Sequence, residues 1–208
     1  MTGHGNTPNH EDLVTALEDA REHVKRIPDD GWAAQAAGLD WTCRETVAHI
    51  LDDLGSYAML LSGAHRHEGY TPLMEFTPVP GRTEGTFWPE EEGGTPAILD
   101  CLGDVGGLLV AVIATAPADR IGWHPFGDPD RTALAAMGIT ELVLHTHDIL
   151  TAHDMDYRGP EGPVSKSLDR IFPHATTTRT QDSWHDLLTA TGRTAETRGI
   201  PWRWNSSA

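Results

Sequence analysis

The stretch Glu141-Leu-Val-Leu-His145-Thr-His-Asp148 reads as a helix with chemistry on one side and a core face on another. Side chains four apart project from the same face of a helix, so Glu141 and His145 stand one turn apart. Asp148, three residues on, joins their stripe. The apolar residues of the segment, Ile139, Leu142, Val143, Ile149 and Leu150, form a separate stripe with the period of a bundle helix. A helix over about 132–152 is therefore predicted. A carboxylate and an imidazole held one turn apart can grip a divalent metal, provided a third ligand arrives from another element. The candidate for that ligand is His49.

His49 lies in a second helical pattern. Thr42-Cys-Arg-Glu45 is a capping box, and the helix it opens runs to about Ser62-Gly63 with the apolar stripe Val47, Ile50, Leu51, Leu54, Ala58 and Leu61. At about 100° per residue, His49, Asp53 and Tyr57 share a flank away from that stripe. His49, Glu141 and His145 are thus expected on surfaces that line solvent or a cleft. Asp53 and Asp148 can orient the ligating imidazoles as hydrogen-bond acceptors, or be ordinary exposed acids. Tyr57, and His124 in the loop Gly122–Asp130, are further candidates for orienting groups or proton transfer. His147 projects elsewhere on the wheel, and His65 and His67 are read as solvated loop residues.

Two more long helices complete the pattern. Leu13, Leu17, Val24 and Ile27 give a helix over 9–27 that Pro28 stops, followed by a loop with Trp32 and Trp41. Thr95-Pro96 reads as an N-cap and first-turn proline of a helix ending near Ala116-Pro117. Its Gly103, Gly106 and Gly107 either permit close approach of a neighbour or mark a bend. Residues 64–94 carry prolines, glycines and charges without a period. They read as a long crossover loop, of a length that often carries function, with Glu90-Glu91-Glu92 as a solvated patch. Short helical patterns at 162–172 and 182–191 follow, and Gly199–Trp204 reads as an extended segment packing two indoles on the bundle. The expected fold is all-α: a four-helix bundle with one crossover between helices 2 and 3 over residues 1–155. The tail, 156–208, packs on it as part of the same domain.

The chain has 31 acidic and 15 basic residues, a formal charge of −16, and only two lysines, Lys25 and Lys166. No cationic cluster is available to neutralise phosphates, so nucleic acid is not an expected partner. A small-molecule substrate is expected, with the oligomeric state open between monomer and homodimer. The most apolar stretch, Leu108–Ala114, is too short to span a bilayer, and no basic region followed by an apolar run opens the chain. Cys43 and Cys101 sit in helical patterns and read as free thiols of a reducing compartment. The expected location is the cytoplasm. Phosphate-loop, dinucleotide and nucleophile-elbow motifs are absent.

Trp41-Thr-Cys-Arg-Glu-Thr-Val-Ala-His49-Ile-Leu-Asp-Asp53 resembles the second-helix motif of the DinB-like superfamily. More narrowly, it is similar to the mycothiol-dependent maleylpyruvate isomerase N-terminal-domain group of actinobacteria. Ala136–Asp148 resembles that group's fourth-helix motif. Leu187-Leu-Thr-Ala-Thr-Gly-Arg193 and Trp202-Arg-Trp204 resemble the tail of an actinobacterial branch of it. The resemblance implies a four-helix bundle that binds a divalent metal, usually zinc, through His49, Glu141 and His145. It also implies chemistry with a low-molecular-weight thiol, mycothiol as cosubstrate, on a small electrophile. Such an enzyme would be an S-transferase or isomerase in detoxification or secondary metabolism. Three protein ligands leave a coordination position open, and a metal can keep a thiol deprotonated near neutral pH. Isomerases of the group carry an additional small α/β C-terminal domain, whereas only 156–208 follow the fourth helix here, and maleylpyruvate is not carried over as substrate. Two other readings stay open. Two histidines and a carboxylate also suit a non-haem Fe(II) enzyme, and a small-molecule binding or self-resistance protein would need the metal only for structure, or not at all.

Overall fold

The computed structural model describes residues 7–63, 69, 71, 86–177 and 179–207, and among them it contains six α-helices and no strand. Helix α1 spans His10–Val24. It opens with Asn9, whose side chain accepts the backbone N–H groups of Glu11 and Asp12 while the Asp12 carboxylate accepts that of Asn9. It stops short of Ile27 because the chain tightens there, Ile27 N–H donating to the Val24 carbonyl at 3.0 Å. Helix α2, Cys43–Ser62, begins at the expected capping box of Thr42 and Glu45.

Between these helices the structure adds a 3-10 turn, Asp29–Ala33, where the sequence reads as loop. This turn buries Trp32, whose indole N–H donates to the Thr95 hydroxyl at 2.8 Å. Thr95 is consequently not the N-cap of its own helix. Helix α3 runs Gly94–Thr115, and the Thr95 N–H is capped by the Asp29 carboxylate at 2.8 Å while its hydroxyl donates to the Ile27 carbonyl. The cap comes from a residue distant in sequence, which local pattern cannot register.

Helix α4, Arg131–Thr151, is capped by the Asp130 carboxylate, which accepts from the N–H groups of Thr132 and Ala133. Helices α5, Glu161–Ile171, and α6, Ser183–Ala190, follow. The bundle places α1 beside α3 and α4, and α2 beside α3 and α4, so that α1 and α2 face one another across the diagonal. This arrangement sets the two helices carrying candidate ligands side by side. Helix α5 packs on both α4 and α1, and α6 packs on α5.

The added layer changes the environment of α4, which is buried almost all round; Glu141 is 6% exposed, His145 7% and Asp148 2%. The reading of Asp148 as an ordinary exposed acid is therefore overturned, as is the solvent alternative for Glu141 and His145. Of Gly103, Gly106 and Gly107, Gly106 answers to close approach: a Cβ there would stand 2.7 Å from the Leu17 side chain of α1, whereas one on Gly107 would meet nothing within 4 Å.

The apolar stretch Leu108–Ala114, read as too short to span a bilayer, lies within a longer apolar helix. Glu91–Thr115 forms 25 continuous helical residues, which the glycines do not interrupt, and an 18-residue window within it has a mean hydropathy of 2.0. Its face of Ile98, Leu102, Leu109 and Ile113 is buried in the bundle. The crossover loop expected over 64–94 falls largely outside the described residues, as do His65 and His67. Its end is pinned by the Arg44 guanidinium, which donates to the carbonyls of Pro89, Glu90 and Glu91, and Glu90, Glu91 and Glu92 are exposed. In the closing segment only one of the two expected indoles is buried: Trp204 is 7% exposed and Trp202 39%. Both cysteines are free.

Candidate metal centre

The capping box at Thr42 fixes the start of α2, and with it the phase at which His49 faces α4. His49 Nε2 lies 3.4 Å from Glu141 Oε2, and His145 Nε2 lies 3.1 Å from the same oxygen. One ligand atom from each of the three residues falls within 4.8 Å of the others. Ligands bound at about 2.0–2.2 Å in a tetrahedral arrangement stand about 3.4 Å apart. The observed spacing thus fits a divalent ion, and two imidazole nitrogens with one carboxylate oxygen are a donor set that could hold one.

The ring of His145 is held from behind. Its Nδ1 lies 3.0 Å from Asp148 Oδ2. An ionised carboxylate only accepts, so Nδ1 carries the hydrogen and Nε2 is the nitrogen that faces Glu141. Burial works against a charged His145, but Asp148 and Glu141 outweigh it and raise the imidazole to about 9. His49 is likewise raised, Glu141 overcoming the opposing effect of burial. Burial pushes the Glu141 carboxyl up, yet the two imidazoles hold it below the ordinary carboxylate range. Burial also opposes ionisation of Asp148, and its contacts with His145 and Arg193 hold it ionised. Without a metal, protons hold this cluster together; a cation can take their place.

The other candidates separate into two groups. Asp53 Oδ2 stands 3.5 Å from His49 Nε2, beside the ligating nitrogen and not behind the ring, and its carboxyl is raised by burial and by the charge of Glu141. Tyr57 is in the core at 2% exposure and meets the His124 ring at 6.3 Å. Helical geometry accounts for the departure from its expected flank: eight residues at about 100° each rotate Tyr57 about 80° past His49. His124 is buried, its Nδ1 accepts the Phe126 N–H at 3.1 Å, and burial lowers its pKa against the field of Glu141. It belongs to an aromatic layer with Phe126 and Trp204. Neither Tyr57 nor His124 lines the cavity described next. His147, as expected, is not in the cluster; its ring meets Trp184 at 5.6 Å.

The triad opens into a cavity of about 780 Å³, a size that suits a small-molecule ligand. One wall is the loop that leads into α2. Its Trp41 ring lies 4.8 Å from that of His49, and its Ala37 N–H donates to the Asp148 carbonyl at 3.0 Å. The opposite wall comes from the tail and includes Arg193, Arg198 and Trp202. Arg193 is the residue that the sequence reading leaves without a role. Its guanidinium donates to Asp148 Oδ1 at 2.9 Å and Oδ2 at 2.7 Å and lies 5.9 Å from the Trp202 ring centre. The local signal is Thr191-Gly-Arg193 at the end of the α6 pattern, a helix stop with a cation behind it.

Against known proteins, the family model described as the DinB superfamily matches residues 12–149, a span that runs from within α1 to within α4 and includes all three residues of the triad. No curated protein and no solved structure matches the chain.

Proposed function

The chain belongs to the DinB superfamily, and from that premise we propose that it is a metal-dependent enzyme in which a low-molecular-weight thiol attacks a small electrophile, as an S-transferase or isomerase. The observation that carries the reading is the convergence of His49 Nε2, Glu141 Oε2 and His145 Nε2 at one cavity. When bound there, a divalent metal, zinc on this reading, supplies an open coordination position at which a thiol is kept deprotonated. The chain's own residues do the rest. Asp148 fixes the His145 ring, so this ligand is already oriented when substrate enters. The rings of Trp41 and Trp202 line the cavity and offer apolar surface for the electrophile. Mycothiol is the cosubstrate favoured by the sequence motifs around His49 and Glu141; it carries essentially no charge, so the acidic surface does not oppose it.

The test is mycothiol-dependent consumption of chlorodinitrobenzene by the zinc-loaded protein. Loss of the activity on chelation and in His49→Ala supports the reading, and activity that survives His49→Ala contradicts it. The same two-histidine, one-carboxylate set also favours a second reading, a non-haem Fe(II) enzyme. Iron in the purified protein and substrate-dependent oxygen consumption would select it.

A further inference from the structure

The carboxylate that holds His145 is itself held, and by a residue outside the four-helix bundle. Arg193 makes two hydrogen bonds to Asp148, one to each oxygen. Such a fork fixes both the position and the plane of a carboxylate, which a single contact does not. Asp148 Oδ2 therefore serves two partners, His145 Nδ1 at 3.0 Å and an Arg193 nitrogen at 2.7 Å.

Arg193 reaches this position through the way α6 ends. Gly192 adopts φ +71°; its N–H donates to the Thr189 carbonyl, and the Arg193 N–H donates to the Leu188 carbonyl at 2.8 Å. These are the two bonds of a Schellman stop, in which a left-handed residue turns the chain back across the helix end. The turn leaves the Arg193 side chain over the end of α4, where a third donor nitrogen bonds the Thr191 carbonyl at 3.3 Å.

We infer that Arg193 is a positioning residue of the metal centre: by clamping Asp148 it keeps His145 Nε2 aimed at Glu141, and so makes the C-terminal segment part of the site. This rests on the metal-centre reading above. It extends that reading to a residue outside the span matched by the family model, which ends at residue 149. Arg193 acts on the metal only through Asp148 and His145. Its removal should therefore alter metal geometry and affinity, and should add little once Asp148 is already changed.

The experiment compares wild type with Arg193→Ala, Arg193→Lys, Asp148→Asn and the Arg193→Ala/Asp148→Asn double variant. Zinc affinity is read by chelator competition, the visible spectrum of the cobalt(II)-loaded protein reports geometry, and far-UV circular dichroism reports the fold. Arg193→Ala is expected to lower zinc affinity roughly 10- to 100-fold and shift the cobalt bands. Lysine, a point charge without the fork, is expected to restore part of this, and the double variant to be no weaker than Asp148→Asn. Unchanged affinity and cobalt spectrum in a folded Arg193→Ala, or additive losses in the double variant, would overturn the inference. If Arg193→Ala does not fold, Arg193→Lys carries the same test. Should the wild type bind neither ion, the metal reading fails by itself. The positioning role is then decided by the His145 Nδ1 proton resonance of the metal-free protein, which must broaden or shift in Arg193→Lys and must not if Arg193 only docks the tail.

Discussion

His145 Nδ1 and Asp148 Oδ2 are 3.0 Å apart in a setting where both side chains are buried, and this contact determines which nitrogen of His145 is available to the cavity. The two residues are three apart on α4, so the helix sets their approach and the carboxylate selects the tautomer. The chemistry proposed at the cavity depends on that selection, since only Nε2 converges with His49 and Glu141.

Replacing Asp148 with alanine frees the ring and leaves the Arg193 charge without its carboxylate. Zinc affinity is expected to fall about 10- to 100-fold, measured by competition with a chromophoric chelator. An affinity equal to that of the wild type would show that His145 needs no support.

The stability of the metal-free protein and its gain on adding zinc should move in opposite directions as pH rises. In the metal-free protein His145 is raised from 6.5 to about 9. The stability it contributes is then fully present below about pH 6.5 and is lost as pH rises through about 9. Asp53, raised to about 8, works in the same direction as it is forced to ionise beside Glu141. Metal binding displaces the His145 proton, so affinity should rise over that same window. The gain in Tm on adding zinc is expected to widen from pH 6.5 to 9. With zinc at about 100 times its Kd, the gain corresponds to about 2.7 kcal/mol, or roughly 5–10 °C for a chain of this size. Differential scanning calorimetry at several pH values checks both signs; a gain that narrows with rising pH would contradict the proton–metal exchange.

Gly192→Ala tests the turn that delivers Arg193. A Cβ there would stand 3.3 Å from the Thr197 carbonyl oxygen, a tight contact that adds to a conformational cost of about 1 kcal/mol for a side chain at φ +71°. Urea unfolding should show a loss of this order, accompanied by weaker zinc binding as Arg193 leaves Asp148. Loss of stability with unaltered zinc affinity would separate the turn from the site.

Much of the bundle was legible because its signals are local. The Thr42–Glu45 capping box, the stripe of α2 and the phase of Glu141, His145 and Asp148 all lie within a few turns of one helix, and the structure reproduces each. What escaped depends on groups remote in sequence. Asp29 caps α3 from 66 residues away, and Arg193 clamps Asp148 from 45 residues away. The burial of Asp148 could not be read from α4 alone, because α5 and the Arg193 turn cover a face that four helices would leave open. Tyr57 was misplaced for a smaller reason: a four-residue step drifts by about 40° each time, and two such steps carry a side chain from cleft to core.

The most direct test of the metal centre is elemental analysis of the protein purified without added metal or chelator, run beside His49→Ala and Glu141→Ala. The account expects close to stoichiometric zinc in the wild type and its loss in both variants, with helical content retained. A wild-type protein that carries no metal and takes up none on reconstitution would contradict it.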